Sequence, residues 1–538
     1  MKKNKILTIL TLILLVLVTF SLGVLLTLKV FLKDQVSTAE TVSIYTDIAV
    51  GSLDERAVDK AIDLGFLDAA YTNNGLAFRP DQALSKAEML AGLTKVFGAD
   101  ALADISTVTD VSSNTQYYTA ASLAVQMNII KLSEQLNLNQ SVTAEEFCQA
   151  IAVTFGLSYK DIASADGYTI NNESDRPYIA AMAERGYISS TGFNADATVT
   201  RLDYAYFIAN TIALDIDSSG EYDYNKINGT VLIKASDVIL NVQEITGDIV
   251  ICDSVKDGNV TLAIDKVYGN IVLRGGGENT VTVRDYSGTS NTSIDDFTTV
   301  NSTLISGNEA ADHNSIINSF MTALDGAAAS TLRFVVIKTT STNPIRLLND
   351  SERAFDEVIL LAGSLYLTSS ATGSTEIGIV NQALGTYLDL ASGHTVGVFV
   401  VNSAIISLPN VHSETSTINN NGTITSLSAG NGVSVIYGGE GVLSFSEAFG
   451  TGNIVSADGT VMTESAETIA DRENAAKILA AKIAAAKKAA AEKAAASSGS
   501  TSSGESSGGS SSGGSSETPP AEDDTCDSTD NTLCEWSD

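Results

Sequence analysis

The pattern of hydrophobic and polar positions changes twice along the chain. Between about residues 43 and 213, apolar positions recur at the spacing of amphipathic helices. From about 216 to 460 the chain has short runs rich in Val, Ile and Leu, several with strict alternation, separated by glycines. Residues 464–496 are rich in Ala and Lys, which favours a helix. We predict a multidomain protein: an α-helical bundle, an all-β domain, an Ala-rich helix and a disordered tail.

The first 40 residues predict export. Lys2, Lys3 and Lys5 precede an uncharged apolar run from Ile6 to Leu28. This run is longer than the apolar core of most signal peptides and long enough to cross a bilayer. Its length favours an uncleaved membrane anchor, and a signal peptide cleaved after Ala39 is the alternative. Both interpretations export everything beyond about residue 40.

Three repeats divide the helical part, at about 43–98, 106–157 and 158–213. Each has a helix, a Gly or Asn suited to a left-handed turn, a loop and a second helix. The second helix of each repeat opens with Ser or Thr followed three residues later by an acid, the signature of a capping box. The pairs are Ser85 and Glu88, Thr143 and Glu146, and Thr200 and Asp203. A two-helix unit cannot bury its own apolar face, so the three repeats are expected to pack together.

These repeats resemble the S-layer homology domain over about 170 residues. The family's aromatic-x-Asp opening matches Tyr45-Thr46-Asp47, and its closing Phe-x-Pro and Thr-Arg-Ala-Glu stretches match Phe78-Arg79-Pro80 and Ser85-Lys86-Ala87-Glu88. The third repeat matches at Asp161-Ile162 and Thr200-Arg201-Leu202-Asp203, whereas the second departs from the pattern at Asn128. The resemblance implies a pseudo-threefold bundle that binds secondary cell-wall polysaccharide, often pyruvylated, in grooves between repeats.

The resemblance also implies which side chains would contact that polymer. The family's groove cation falls on Lys86 and Arg201, and in the second repeat on Ala144, which predicts a groove without an anion contact. A fixed cation suits a ketal carboxylate, because charge-assisted hydrogen bonds are the strong ones. The alternative is that these are ordinary first-turn and capping residues. The candidate polysaccharide-binding residues are Asp47, Lys86, Glu88, Asp161, Arg201 and Asp203.

One sequence motif, a glycine followed by a short apolar strand, recurs through the β-rich part. It occurs at Gly229, Gly247 and Gly269, and again at Gly363 and Gly385. A β-rich repeat of about 20 residues with a turn glycine predicts a parallel β-helix, or solenoid, over 216–460. The region resembles β-helical segments that accompany S-layer homology domains. A β-sandwich is the alternative.

Charge and cysteine content narrow the classes of function. The formal net charge of −33 argues against nucleic-acid binding, which needs a basic face. Cys148 and Cys252 lie in apolar segments and are expected to be buried thiols, whereas Cys526 and Cys534 form a small-loop disulfide or remain free. We expect neither a metal nor a cofactor. The stretch 497–538 is expected to be a Ser/Gly linker and a disordered acidic tail.

These observations predict a non-enzymatic protein of the surface of a Gram-positive-type bacterium. Its repeats would bind anionic wall polysaccharide, and its solenoid would serve as a stalk, adhesin or S-layer-like element that can also self-associate. The alternative is a polysaccharide lyase or hydrolase on the β-helix, localised by the same repeats. A third interpretation leaves residues 6–28 as the only attachment, through the membrane.

Overall fold

The computed structural model describes residues 43–277, 280–294, 332–339, 343–351, 353–369, 375–401, 408 and 415–464, with single helical residues at 470, 474 and 477. The predicted leader, most of the Ala/Lys-rich segment, the linker and tail, Cys526 and Cys534 lie outside the described residues. No helix in the described part has the length and apolar character needed to cross a membrane, and the run from Ile6 to Leu28 is not in that part.

Helices occupy the front of the chain, which we call the helical region (residues 43–211). Each predicted repeat contains two of the α-helices that the structure describes. They are α1 (Leu53–Asp63), α2 (Lys86–Phe97), α3 (Tyr118–Gln126), α4 (Ala144–Phe155), α5 (Arg176–Glu184) and α6 (Arg201–Thr211). A hairpin of β1 (Ala70–Thr72) and β2 (Gly75–Ala77) follows α1, and short 3₁₀ turns span Ile162–Ala165 and Glu173–Asp175.

Local signals at the helix ends are confirmed. All three capping boxes form, at the starts of α2, α4 and α6. The residues after the first helix of each repeat have the predicted left-handed backbone, with φ of 87° at Gly65, 59° at Asn128 and 66° at Gly186. Asn tolerates this conformation better than most residues with a Cβ, which explains how the second repeat keeps the turn without glycine.

Backbone hydrogen bonds close a ring that joins the three repeats. The Leu84 amide donates to the Val199 carbonyl at 2.9 Å, Val199 donates to Val142 at 3.0 Å, and Val142 donates to Leu84 at 2.8 Å. These three side chains are fully buried. The first amide of each second helix also donates to a loop of another repeat: Lys86 to Gln140, Ala144 to Ala197 and Arg201 to Gln82. The helical region therefore has a pseudo-threefold arrangement with the starts of α2, α4 and α6 at its centre.

The described residues between 212 and 464 form a parallel β-solenoid of two sheets, as predicted. Neighbouring strands within each sheet are parallel except at the last pair, so the β-sandwich alternative is wrong. Sheet I contains β3 (Ile212–Ile216), β5 (Thr230–Ile233), β7 (Ile249–Ile251), β9 (Ile271–Leu273), β12 (Leu332–Ile337), β14 (Phe355–Ala362), β16 (Thr375–Gln382), β18 (His394–Val401), β20 (Thr423–Ala429) and β22 (Val442–Ala448).

Sheet II lies on the other side of the coil. In order along the sheet it contains β11 (Ser293–Ile294), β4 (Gly220–Ile227), β6 (Val238–Ile245), β8 (Val260–Val267), β10 (Thr280–Asp285), β13 (Ile345–Asn349), β15 (Ser364–Ser369), β17 (Tyr387–Leu390), β19 (Thr415–Asn420), β21 (Ser434–Gly438), β23 (Asn453–Ser456) and β24 (Val461–Glu464). Apart from β11 and β24, which are additional strands at the two ends of sheet II, each coil contributes one strand to each sheet. Inward Val, Ile and Leu side chains form the core between the sheets.

The repeat glycines lie where successive coils are in close contact. A Cβ at Gly247 would stand 2.5 Å from the Thr230 amide nitrogen, and one at Gly269 would stand 2.5 Å from the Gly247 carbonyl oxygen. Both separations are shorter than a real Cβ contact allows. The periodic glycine that identified the solenoid from sequence is therefore required for coil-to-coil packing.

The helical region packs along the outer face of sheet I, and β3 begins at the residue after α6 ends. Outward side chains such as Leu232, Val250 and Val272 belong to the same buried cluster as the helices, whereas their inward neighbours belong to the solenoid core. Strands β5, β7 and β9 are consequently buried on both faces. The helical region and the first coils therefore share one hydrophobic interface.

Candidate functional site

Arg201, the first residue of α6, connects the third repeat to the first. Its guanidinium donates from Nε to the Phe78 carbonyl at 2.8 Å, from Nη2 to the Asp68 carbonyl at 2.6 Å, and from Nη1 to Glu88. The guanidinium also lies over the Phe78 ring, 4.8 Å from its centroid. Arg201 is only 5% exposed. Three of the five guanidinium donors are thus used inside the protein, which fixes the orientation of the group at its site.

Lys86 has the corresponding position at the start of α2. Its Nζ lies 2.6 Å from Glu146 Oε1, and the lysine side chain is 18% exposed. Arg201, the first residue of α6, thus pairs with Glu88, the third residue of α2. In the same way Lys86, the first residue of α2, pairs with Glu146, the third residue of α4. Ala144 would continue this cycle toward Asp203, but it has no charged group and is fully buried. The absence of an anion contact at Ala144 stays a prediction.

The aspartates near the start of the first two repeats accept hydrogen bonds from backbone amides of later loops. Asp47 accepts hydrogen bonds from the amides of Phe78 at 2.9 Å and Arg79 at 2.7 Å. Asp110 does the same for Leu136 and Asn137, at 2.9 and 2.7 Å. Arg79 and Asn137 both have positive φ, so each aspartate stabilises a strained turn. The second repeat is therefore closer to the first in structure than in sequence.

Asp161 differs from Asp47 and Asp110. It caps the short 3₁₀ turn that follows it, accepting from the Ala163 amide at 2.9 Å. Glu88 and Asp203 are the acidic members of their capping boxes, and Glu88 also accepts from Arg201. Both acids therefore cap the helices in which they lie. The structure does not bring the six candidate residues into one cluster, and a contact between any of them and polysaccharide stays a prediction.

A groove open to solvent surrounds Arg201, with an empty volume of about 720 Å³; we call it the Arg201 groove. Gly92 of α2 forms part of its floor, where a Cβ would collide with the Phe66 carbonyl. The groove receives residues from all three repeats, since Tyr117 comes from the second. The polar lining relevant to binding is Asp68, Arg79, Glu88, Lys95, Tyr117 and Arg201.

The electrostatics of the Arg201 groove differ from those of the whole chain. Three basic and two acidic side chains line it, although the chain carries a formal net charge of −33. Glu88 is already paired with Arg201, while Arg79 and Lys95 are exposed. A carboxylate entering the groove would meet the exposed cations Arg79 and Lys95 beside an oriented guanidinium, and Asp68 is the exposed acid of the lining. Sequence reasoning missed Lys95 and Tyr117, because no local motif marks them; Arg79 stood within a quoted motif, but its charge was not considered.

The junction between the second and third repeats is acidic. Glu145 of α4 is 5% exposed and accepts from the amides of Asn171 at 3.0 Å and Asn172 at 2.9 Å. Burial, and then the neighbouring Glu145 carboxylate, raise the pKa of Asp175 to about 6. Two carboxyl groups close together disfavour a further anion. This junction is therefore unsuited to the ligand that the Arg201 groove would accept.

A second cleft lies between the helical region and sheet I. Its lining includes Arg185, Tyr187, Asp248 and Tyr268, together with the repeat glycines Gly229, Gly247 and Gly269. Arg185 and Asp248 form a bidentate ion pair in the cleft. Burial, and then the charge of Asp248, raise the pKa of Tyr187, so its phenol remains protonated. The charged groups Arg185 and Asp248 are thus already paired.

Comparison with known proteins leaves the family open. No protein-family model matches the chain, and none of the curated proteins matches it. Among the described residues, no group of three or more His, Cys, Asp or Glu side chains is placed to hold a metal ion.

Proposed function

We propose that this chain is a cell-surface protein whose helical region binds anionic cell-wall polysaccharide in the Arg201 groove. The observation that carries the proposal is the guanidinium of Arg201, fixed at the back of an open groove whose rim has the exposed cations Arg79 and Lys95. A pre-oriented guanidinium recognises carboxylates with little entropic cost. The resemblance to the S-layer homology domain in motif and repeat number supports the same ligand class, including pyruvylated polymers.

The solenoid supports the display part of the proposal. A two-sheet solenoid of this length is stiff and exposes long, regular faces, which suits a stalk, an adhesin or an element of a surface lattice. The proposed location is the wall of a Gram-positive-type bacterium, with residues 6–28 either inserted in the membrane or removed on export. Self-association through the solenoid is part of the lattice form of the proposal.

The enzymatic alternative, a lyase or hydrolase on the solenoid, remains a competing hypothesis. Glycoside hydrolysis usually uses two carboxyl groups about 5–10 Å apart across the scissile bond. On the outer face of sheet II, Asp389 is registered beside Tyr366 and Asn419 rather than beside a second acid. At Asp389 this arrangement favours binding over cleavage. Reducing-end and unsaturated-product assays on wall polysaccharide test the alternative directly.

Sedimentation with purified sacculi tests the proposed function. The full chain should sediment with sacculi that keep their secondary polysaccharide and stay in solution with sacculi stripped of it. Lys95→Ala and Arg79→Ala should each reduce the bound fraction, whereas Arg284→Ala removes the same charge from the solenoid and should not. Equal sedimentation with both kinds of sacculi would contradict the proposal.

A further inference from the structure

A cluster of polar and aromatic side chains follows four neighbouring strands on the outer face of sheet II. Parallel register places Arg346 of β13 beside Tyr366 of β15, Tyr366 beside Asp389 of β17, and Asp389 beside Asn419 of β19. Tyr387 lies two residues before Asp389, in the next row of the same face. We call these five residues the sheet II platform: Arg346, Tyr366, Tyr387, Asp389 and Asn419.

The platform faces away from the core. The residues that alternate with it, such as Leu365, Leu367, Leu388 and Ile418, are fully buried between the two sheets. Arg346 is exposed, and the other four platform residues are half-buried. Because side chains alternate across a strand, the five platform residues lie on one surface.

The contacts within the platform form a connected set. The Tyr366 and Tyr387 rings lie 5.9 Å apart at 54°, and the Arg346 guanidinium carbon lies 5.6 Å from the Tyr366 centroid. The Tyr387 hydroxyl donates to Asp389 Oδ2 at 3.3 Å, and Asn419 Nδ2 donates to the same oxygen at 2.8 Å. Among the described residues, Asp389 Oδ1 accepts no hydrogen bond, so this carboxylate keeps acceptor capacity beside the two rings.

We propose that the sheet II platform is a binding site for an uncharged polysaccharide. A pyranose ring has an apolar face that packs on an aromatic ring and a rim of hydroxyl groups that require donors and acceptors. Tyr366 and Tyr387 supply the aromatic surface, Asp389 accepts from sugar hydroxyls, and Arg346 and the Asn419 amide complete the polar rim. Several coils in register present a linear surface, which suits a chain of sugar residues.

Charge selects the uncharged class of polymer. The platform has one cation, Arg346, and one anion, Asp389, so it offers no net attraction to a polyanion. The site is therefore distinct in ligand class from the Arg201 groove, and neither depends on the other.

A purely structural role is the competing explanation, since aromatic pairs across strands also stabilise sheets. The two roles differ in what substitution changes. A structural ladder would lose stability without any change in polysaccharide affinity, whereas a binding platform would lose affinity in variants that remain folded.

Affinity electrophoresis and calorimetry of the full chain separate these outcomes. The probes are hydroxyethyl cellulose, arabinoxylan, glucomannan and soluble starch as uncharged polymers, and polygalacturonate as a polyanion. We expect retardation by at least one uncharged polymer. Any retardation by polygalacturonate, a polyanion suited to the Arg201 groove, should be the same in Tyr366→Ala as in the unaltered chain. Retardation by none of the four uncharged polymers would overturn the proposal without bearing on sedimentation with sacculi.

Variants of the platform residues, tested with whichever polymer binds, show where on the protein that polymer is bound. Tyr366→Ala and Asp389→Ala should each weaken binding at least about tenfold, the order of one charge-assisted hydrogen bond or well-packed contact. Tyr366→Phe keeps the ring and should bind like the unaltered chain. Arg346→Ala should weaken binding, whereas Arg284→Ala, an exposed arginine of the adjacent strand β10, should not. Unchanged affinity in folded Tyr366→Ala and Asp389→Ala proteins would overturn the assignment.

Discussion

Arg185 of the helical region and Asp248 of the solenoid form a bidentate ion pair. Nη2 lies 3.0 Å from Oδ1 and Nε lies 3.1 Å from Oδ2, and the two side chains are 11% and 2% exposed. Asp248 also accepts from the Asn270 amide, which joins the pair to the next coil. Because the charges satisfy one another only when both parts are in place, the pair couples folding of the helical region to folding of the first coils.

The first prediction concerns this coupling. Arg185→Ala leaves the Asp248 carboxylate without its guanidinium partner, and breaking a buried ion pair in this way costs about 3–5 kcal/mol of unfolding free energy. Arg284→Ala is the control, because its pair with Asp350 is 53% and 40% exposed and contributes less than about 1 kcal/mol. Hydrogen exchange measured at increasing denaturant concentration should show helices α4–α6 and strands β5–β9 opening together. Separate opening of the helices in the unaltered chain would contradict the coupling.

The second prediction concerns pH. The folded pKa of Asp175, about 6, lies above the value of about 3.9 for an aspartate in an unfolded chain. The folded state therefore binds the proton more tightly, so the unfolding free energy falls as pH rises from 4 to 6 and is constant above that range. Because Asp175 is partly exposed, we expect Asp175→Asn to recover on the order of 1 kcal/mol at pH 7.5 and little at pH 4.

Unfolding curves at several pH values check this. Asp166→Asn alters an exposed carboxylate in the same segment and should follow the pH dependence of the unaltered chain. If Asp175→Asn gives the same difference at pH 4 and pH 7.5, the effect does not come from titration of this carboxyl group.

The third prediction concerns the repeat glycine. Gly247→Ala places a methyl group against the preceding coil and should lower the unfolding free energy by about 1–3 kcal/mol. Gly438→Ala is the matched control, since its Cβ would meet only Ala457, at 3.7 Å, an ordinary contact. Midpoints of thermal unfolding for the two variants test the difference, and equal midpoints would show that coil spacing tolerates a side chain at Gly247.

The fourth prediction concerns thiol chemistry. Cys148 and Cys252 are fully buried free thiols, as the sequence predicted, and burial raises the pKa of both. Because the thiolate is the nucleophile, iodoacetamide should modify neither cysteine in the folded chain and both in denaturant. Ser174→Cys adds an exposed thiol as a positive control. Peptide mass spectrometry reports each site, and rapid labelling of Cys252 in the folded chain would contradict its placement.

Local and periodic features were predictable from sequence. The spacing of Gly229, Gly247 and Gly269 indicated a solenoid because coil-to-coil contact excludes a side chain there. The three capping boxes were predictable because donor and acceptor lie three residues apart. Both inferences depend on distances along the chain that the backbone geometry fixes.

Long-range placement was not predictable. Arg201 and its acceptor at Phe78 are 123 residues apart, and nothing near either residue indicates that the guanidinium is buried against the first repeat. The packing of the helices against sheet I could not be predicted, because an apolar residue such as Val250 or Val272 is equally suited to the solenoid core and to an interface with another domain. The sheet II platform depends on register between coils of unequal length, so Tyr366 and Asp389 become neighbours only in three dimensions.

Binding of purified wall polysaccharide to the full chain, measured by calorimetry before and after carboxyl reduction of the polymer, tests the central claim most directly. We predict that the native polymer binds, that affinity falls as salt rises, and that reduction of the carboxylates abolishes binding. Lys95→Ala should weaken the same interaction. Equal affinity for native and carboxyl-reduced polymer, or no binding to either, would contradict recognition of an anionic glycan in the Arg201 groove.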